Sequence, residues 1–148
     1  KTGLKIPNSS IVNKEFYTIP LEYFSQGGDT NDLGLILETY DENNELIYKF
    51  TPAEIFFKDE NYGYVDTRLF EINSWIKSES GERFRLSEKD VLQGVYNVNK
   101  GYAVFRRIEI IEEGEEYTTV KEGTSYGISV YDQIALVGDT AIEQQLIY

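Results

Sequence analysis

The sequence predicts an all-β protein made of two related small units, each barrel-like or sandwich-like, with little helix. Its 148 residues include 12 Tyr and 8 Phe, and these side chains, together with many Val, Ile and Thr, suit half-buried strands. Short apolar runs are separated by turn residues at regular spacing, which is typical of barrels and sandwiches. A similar order of apolar and polar segments recurs in the two halves of the chain.

The predicted strands are short, apart from one long alternating run at 102–111. In that run Val104, Arg106 and Ile108 share one face of the strand. The shorter candidates lie at 35–40, 45–50, 54–58, 62–66, 83–86, 94–98, 116–121, 133–137 and 145–148.

Turn-forming residues connect several of these strands. They predict hairpin connections at 41–44, 99–101 and 112–116. Pro20 and Gly27 bound a predicted single helical turn, and 139–144 is predicted to form another. The polar segment 28–34, rich in Gly, Asp and Asn, is predicted to be a loop.

An internal repeat predicts the domain organisation. Four segments of the first half resemble four of the second in the same order: 4–12 with 84–92, 16–19 with 95–98, 54–65 with 109–120, and 70–76 with 128–134. We therefore predict two β units of one design, 1–79 and 80–148, with an inserted loop at 20–34 in the first. The alternative is that any two strand-rich halves align this loosely.

Composition excludes several kinds of chemistry. The chain has no Cys and no His, so thiol nucleophiles, disulfides and a Ser-His-Asp triad are excluded, and the usual zinc ligands are missing. A net charge of −12 repels phosphate backbones and anionic membrane surfaces, so we expect no nucleic-acid partner. We expect no catalytic residue, no metal and no cofactor, and a protein that is not an enzyme.

Acidic clusters offer two weaker alternatives. The segments 29–32 and 41–44 carry oxygen ligands that suit calcium, but turn chemistry explains both, and neither has the twelve-residue calcium loop. Four carboxylates at Glu112, Glu113, Glu115 and Glu116 suggest a glycoside hydrolase, which needs two carboxylates across a cleft. A solvated turn around Gly114 is the favoured interpretation.

Other side chains also allow two interpretations. Arg106 is expected to pair with an acid at a barrel edge or to contact a partner. Ser87 near Lys89 and Asp90 suggests Ser–Lys chemistry, but the sequence offers no glycine-rich oxyanion hole. Trp75 and the tyrosines suit a sugar-binding platform, although packing in a small β core is the commoner role of such residues.

The chain resembles the C-terminal, membrane-proximal region of HlyD-like membrane fusion proteins, the periplasmic adaptors of RND-type efflux and secretion systems. The resemblance rests on the segments 3–12, 94–106 and 120–138, which include Gly3-Leu-Lys-Ile-Pro and Gly94-Val-Tyr-Asn-Val. Ser10 stands where the family commonly has Ala, and Tyr131 stands where it has Gly. These departures, with the additional segment 20–34, suggest a Gram-positive-type branch.

The resemblance implies a non-enzymatic, extracytoplasmic fragment of a membrane-anchored adaptor. Such a fragment docks on an inner-membrane transporter, on neighbouring adaptor copies or on other envelope proteins. The chain opens at Lys1 rather than Met, so we expect it to be a piece of a longer protein whose anchor lies elsewhere. A carbohydrate-binding or other cell-surface β module is the alternative. The sequence does not assign a binding surface to particular residues.

Overall fold

The predicted all-β fold is confirmed. The computed structural model describes residues 3–29, 31–99, 101–128 and 134. Within these residues the only helical segments are three single turns of 3-10 helix, at Asn8–Ser10, Leu21–Tyr23 and Thr67–Leu69. None of the described segments is a helix with the length and apolar character needed to cross a membrane.

The described residues form thirteen strands. In chain order they are β1 Leu4–Pro7, β2 Val12–Pro20, β3 Phe24–Gly27, β4 Asp32–Tyr40, β5 Leu46–Pro52, β6 Phe57–Lys58, β7 Tyr62–Asp66, β8 Trp75–Lys77, β9 Arg83–Arg85, β10 Lys89–Asn99, β11 Tyr102–Arg107, β12 Ile110–Glu113 and β13 Tyr117–Val120.

The chain divides into two compact units. One unit contains residues 15–90, and the other contains residues 1–14 together with 91–148. These boundaries differ from the predicted 1–79 and 80–148. The first strand explains part of the difference, because β1 pairs with β13 near the far end of the described chain. Similarly, β9 pairs with β8 and so belongs to the unit that contains β8.

The unit of residues 15–90 contains a sheet that we call the β4 sheet, formed by β3, β4, β5, β8 and β9. β4 pairs with β5 along one edge, and with β3 and then β8 along the other. β9 continues the sheet beyond β8. In the same unit β2 pairs with β7, and β7 pairs with β6.

The core of this unit lies against one face of the β4 sheet. Leu35 of β4 and Ile76 of β8 are fully buried there, with Tyr17, Ile19 and Val65 from β2 and β7. The Tyr17 hydroxyl donates a 3.0 Å hydrogen bond to the Phe70 carbonyl, so the buried phenol is satisfied.

The unit of residues 1–14 and 91–148 has its own core. The antiparallel sheet β1–β13–β12 and the hairpin β10–β11 contribute Ile6, Val95 and Val120 to it, and Ile108 joins them from the segment between β11 and β12. The Asn8 side chain, just after β1, donates to the carbonyls of the β12–β13 turn and accepts a 2.6 Å hydrogen bond from Thr118. The N-terminal strand is therefore held by both apolar packing and hydrogen bonds.

All three predicted hairpin connections are confirmed, since β4–β5, β10–β11 and β12–β13 are adjacent antiparallel pairs. The strand predicted at 62–66 has the observed bounds. The predictions at 35–40, 45–50, 83–86, 94–98 and 116–121 fall on β4, β5, β9, β10 and β13.

Other predictions need correction. The segment 20–34 is not simply an inserted loop, because it contains a 3-10 turn, β3 and the start of β4. The run 102–111 is not one strand. It breaks after Arg107, and Ile108 turns into the core. Of 54–58 only Phe57–Lys58 is a strand. The predictions at 133–137, 139–144 and 145–148 lie outside the described residues, except for Ile134, which bridges Asn97.

Replacing Ile6 tests the observed unit boundaries. Ile6 is 3% exposed, so we expect Ile6→Ala to destabilise its unit by about 2–5 kcal/mol through the cavity it leaves. Hydrogen exchange will show the largest loss of protection at amides of β10–β13. Ile72→Ala, at a position 51% exposed, is the control and changes stability by less than about 0.5 kcal/mol. Loss of protection mainly within 15–79 would contradict the boundaries.

Candidate interaction surface

The strand register gives the β4 sheet a distinct outer face. Side chains alternate between the two faces of a strand, and directly opposed residues share a face. Since Leu35 and Ile76 point into the core, the residues on either side of each point outward. We call this surface the outer face; it comprises Asp32, Gly34, Ile36, Glu38, Tyr40, Leu46, Tyr48, Phe50, Trp75, Lys77, Arg83 and Arg85.

Several large apolar side chains of the outer face are exposed. Tyr40 is 64% exposed, Leu46 47%, Tyr48 44% and Trp75 37%. Trp75 is the only tryptophan in the chain. Single exposed apolar residues are normal on a soluble protein, but several on one face mark a candidate interaction surface.

Two cations hold the aromatic rings of this face. The Arg83 guanidinium lies 4.1 Å from the centroid of the Trp75 ring, and the Lys77 ammonium lies 4.0 Å from that of the Tyr48 ring. Both distances are well within the range of cation–π attraction. These contacts join β5, β8 and β9 across the outer face and restrict the rotamers of both rings.

A bidentate ion pair fixes Arg83 in turn. Its Nε and Nη2 atoms donate to the two carboxylate oxygens of Glu38 at 2.6 and 2.9 Å. The Glu38 side chain is only 7% exposed, so this carboxylate depends on its partner for compensation. The hydrogen bond to Glu38 raises the pKa of Arg83 above its usual value, which keeps the guanidinium charged.

The charge of the outer face is opposite to that of the chain. On this face Lys77, Arg83 and Arg85 outnumber the two carboxylates that β4 contributes, Asp32 and Glu38, whereas the whole chain carries a net charge of −12. The face therefore combines exposed aromatic rings with a local excess of positive charge. Such a surface can bind a partner that presents apolar groups and carboxylates together.

The outer edge of β5 adjoins this face. Asp41 N–H donates to the Glu45 carbonyl, and Ala53 N–H donates to the Leu33 carbonyl, at 3.0 and 3.1 Å. Because bonding direction alternates along an antiparallel pair, the odd-numbered residues of β5 bond to β4. The N–H groups of the even-numbered residues therefore point away from the sheet. Among the described strands, only β4 pairs with β5.

The predicted acidic sites are placed as turn residues. The Asp41 carboxylate accepts hydrogen bonds from the N–H groups of Asn43 and Glu45, both at 2.9 Å. Asn31 has a left-handed φ of 59° in the turn before β4. Asn31 in the first segment and Asp41 in the second therefore contribute to turn geometry, while Asp32 begins β4. No group of three acidic side chains in the described part of the chain is arranged to hold a metal.

The carboxylates around Gly114 lie in the solvated β12–β13 hairpin. Glu112 and Glu113 end β12, and Glu115 and Glu116 precede β13, all of them exposed. They line an open cleft that also contains Lys5. The observed position supports the interpretation as a solvated turn.

Of the two arginines in β11, Arg107 forms the kind of ion pair that the sequence predicted for Arg106. Arg107 donates a 2.9 Å hydrogen bond to Glu109, and Lys121 lies 3.4 Å from the same carboxylate. The Arg107 hydrogen bond, assisted by Lys121, lowers the pKa of Glu109 below its usual value. Among the described ion pairs, Arg107 and not Arg106 forms the expected contact.

The Ser87 region does not assemble the suggested Ser–Lys pair. The Lys89 ammonium lies 3.9 Å from a Glu15 carboxylate oxygen. It also lies 5.9 Å from the centroid of the Tyr17 ring. The Asp90 carboxylate accepts a 3.2 Å hydrogen bond from the Tyr64 hydroxyl. Lys89 and Asp90 therefore have structural contacts of their own.

Sequence reasoning singled out Trp75 and the tyrosines as a group, but it did not identify which tyrosines share a face with Trp75 or the other residues of the outer face. Its members come from four separate strands, and their proximity depends on a register that no local pattern reveals. Two signals were available: the alternation of Leu46, Tyr48 and Phe50, and the basic residues that flank Phe84. Each identifies a two-faced strand, but neither says which strands are neighbours.

Trp75 allows the cation–π contact to be tested by fluorescence. Removing the guanidinium in Arg83→Gln exposes the Trp75 ring, so we expect a red-shifted emission maximum and stronger acrylamide quenching. Arg85→Gln is the matched control, because Arg85 is exposed on the same strand without a cation–π contact to Trp75. Equal spectra for the two variants would contradict the assigned contact.

No family model, curated protein or solved structure matches this chain. The interpretation of the outer face therefore depends on the geometry of the chain itself.

Proposed function

We propose that this chain is a non-enzymatic docking module of an extracytoplasmic adaptor similar to the HlyD-like membrane fusion proteins. Its outer face would bind a partner protein of the cell envelope, such as an inner-membrane transporter. One observation carries the proposal: exposed aromatic side chains are held in place by cations on a face whose charge is opposite to that of the whole chain.

The residue types of the outer face support protein binding. Trp, Tyr and Arg are enriched among the few residues that dominate protein–protein affinity. Trp75, Tyr48 and Arg83 supply all three types on neighbouring strands. Their mutual contacts and the Glu38 pair fix their rotamers before a partner arrives, which reduces the ordering cost of association.

The charge pattern suggests the chemistry of the partner surface. Arg85 is exposed, and no carboxylate of the described residues forms an ion pair with it. A partner carboxylate could form a bidentate contact there while apolar groups pack on Trp75. The resemblance to adaptors adds the expected place, at the outer side of the cytoplasmic membrane.

A carbohydrate-binding module remains the second candidate, because Tyr48 and Trp75 are exposed on one face of one sheet. Sugars bind proteins by stacking on open aromatic faces. Here one face of each ring already carries a cation, at 4.0 Å for Tyr48 and 4.1 Å for Trp75. A sugar would have to displace that cation or use the opposite side of the ring, which favours the protein partner.

Comparative capture tests the proposal. The chain is immobilised, incubated with solubilised cytoplasmic membranes of the source organism, and cross-linked. We expect a membrane transporter to be retained by the wild type and reduced about tenfold or more by Trp75→Ala, since such anchors contribute about 2 kcal/mol or more. Tyr102→Ala is the control, because Tyr102 is 74% exposed but lies in the other unit.

Two outcomes would contradict the proposal. Retention of the transporter at the wild-type level by Trp75→Ala would mean that the outer face is not the docking surface. A change in Trp75 fluorescence on titration with cell-wall oligosaccharides, without capture of a membrane protein, would favour the carbohydrate-binding module instead.

A further inference from the structure

We propose that the outer edge of β5 pairs with β5 of a second copy of this chain. The two strands would run antiparallel about a two-fold axis that passes between the two Tyr48 residues. This proposal is independent of the partner protein suggested above, because it depends on backbone groups at the sheet edge and not on Trp75.

The edge offers a complete set of backbone partners. The backbone groups of Glu45 and Ala53 form hydrogen bonds in the direction of β4, and this direction alternates from one residue of a strand to the next. The N–H groups of Leu46, Tyr48 and Phe50 therefore point away from β4. β5 is seven residues long and largely exposed. A long exposed edge strand is a template for pairing with another chain.

The pattern of donors selects the register. With Tyr48 opposite Tyr48, Leu46 of each copy faces the second copy's Phe50, and all three outward N–H groups find a carbonyl. This arrangement places aromatic and aliphatic side chains directly opposite one another, a favourable cross-strand pairing. A shift by one residue is excluded, because it would place outward donors opposite residues already bonded to β4.

Shifts by two residues are also less favourable. In one direction Lys49 would lie opposite the second copy's Lys49, and like charges opposite one another destabilise a pair. In the other direction Phe50 would face Asn44, whose left-handed φ of 64° takes it out of the strand. The register centred on Tyr48 avoids both problems.

The charges on the other face of β5 fit the same register. Lys49 would lie opposite the second copy's Ile47 and diagonal to both its Glu45 and its Lys49, at about 7–8 Å between Cα atoms, within reach of long side chains. By symmetry the attractive Lys49–Glu45 contact forms twice, whereas the repulsive Lys49–Lys49 contact forms once. A lysine in an edge strand ordinarily discourages pairing, but here a second copy supplies the carboxylate that compensates it.

Long-range repulsion opposes this association, because each copy carries a net charge of −12. The contact lies beside the locally positive outer face, where Lys77 and Arg83 reduce the repulsion. Salt screens charges separated by more than roughly 10 Å at 0.1 M ionic strength. We therefore expect the dimer to become more stable as salt is raised, unlike a contact made mainly by ion pairs.

Single-cysteine variants of the full chain test the register, because the wild type contains no Cys. Opposed hydrogen-bonded residues have Cα atoms about 5.5 Å apart, which suits a disulfide. We expect Tyr48→Cys to form disulfide-linked dimers under mild oxidation. Leu46→Cys is the matched control, with an exposure of 47% against 44% for Tyr48. It should remain unlinked alone but cross-link when mixed with Phe50→Cys.

Sedimentation equilibrium then tests the unmodified edge. The wild type should shift from 17.1 kDa towards twice that mass with increasing concentration and salt. Tyr48→Pro should remain monomeric, because it removes an outward donor without removing a bond to β4; circular dichroism checks its fold. A wild type that stays monomeric, a Tyr48→Pro variant that still dimerises, or equal cross-linking of Leu46→Cys and Tyr48→Cys would overturn the proposal.

Discussion

The pairing of β4 along both of its edges is the constraint on which the candidate surface depends. β5 occupies one edge, while β3 and β8 share the other. This pairing fixes the register of the whole β4 sheet, and the register decides which side chains face the core. Leu35 turns inward and Glu38 turns outward as a consequence of the two-residue period of a strand. A slip by one residue would turn Glu38 towards the core and Leu35 towards the outer face.

Close packing of β5 against glycine residues of the neighbouring strands stabilises the register of the β4–β5 pair. An added Cβ at Gly34 would clash with the Thr51 carbonyl and come within 2.7 Å of the Phe50 ring. The same ring covers Gly27 of β3, where an added Cβ would lie 2.9 Å away. Phe50 therefore packs across three neighbouring strands because two of them present no side chain there. This contact holds β5 in place, and with it the orientation of its free edge.

The sequence predicts the secondary-structure elements better than it predicts which strands pair with each other. Turn chemistry at Asp41 and Gly114 located two of the hairpins, because such signals are local. The unit boundaries depend on the pairing of β1 with β13, which lies far along the chain and leaves no local signal. The run 102–111 alternates throughout, but burial of Ile108 and the ion pair of Glu109 interrupt it. The outer face was missed for the same reason as the boundaries: it is assembled by non-local register.

Pairing through the edge of β5 would leave the outer face of each copy available to a partner protein. In an antiparallel pair, opposed side chains point to the same side of the sheet. Two copies joined through β5 would therefore present both of their outer faces on one side of a continuous sheet, with Trp75 of each remaining open. A partner that offers two equivalent sites would then bind the second face at a high effective concentration. Modest affinity for each face is sufficient under those conditions, so a small and mainly aromatic surface could support stable docking.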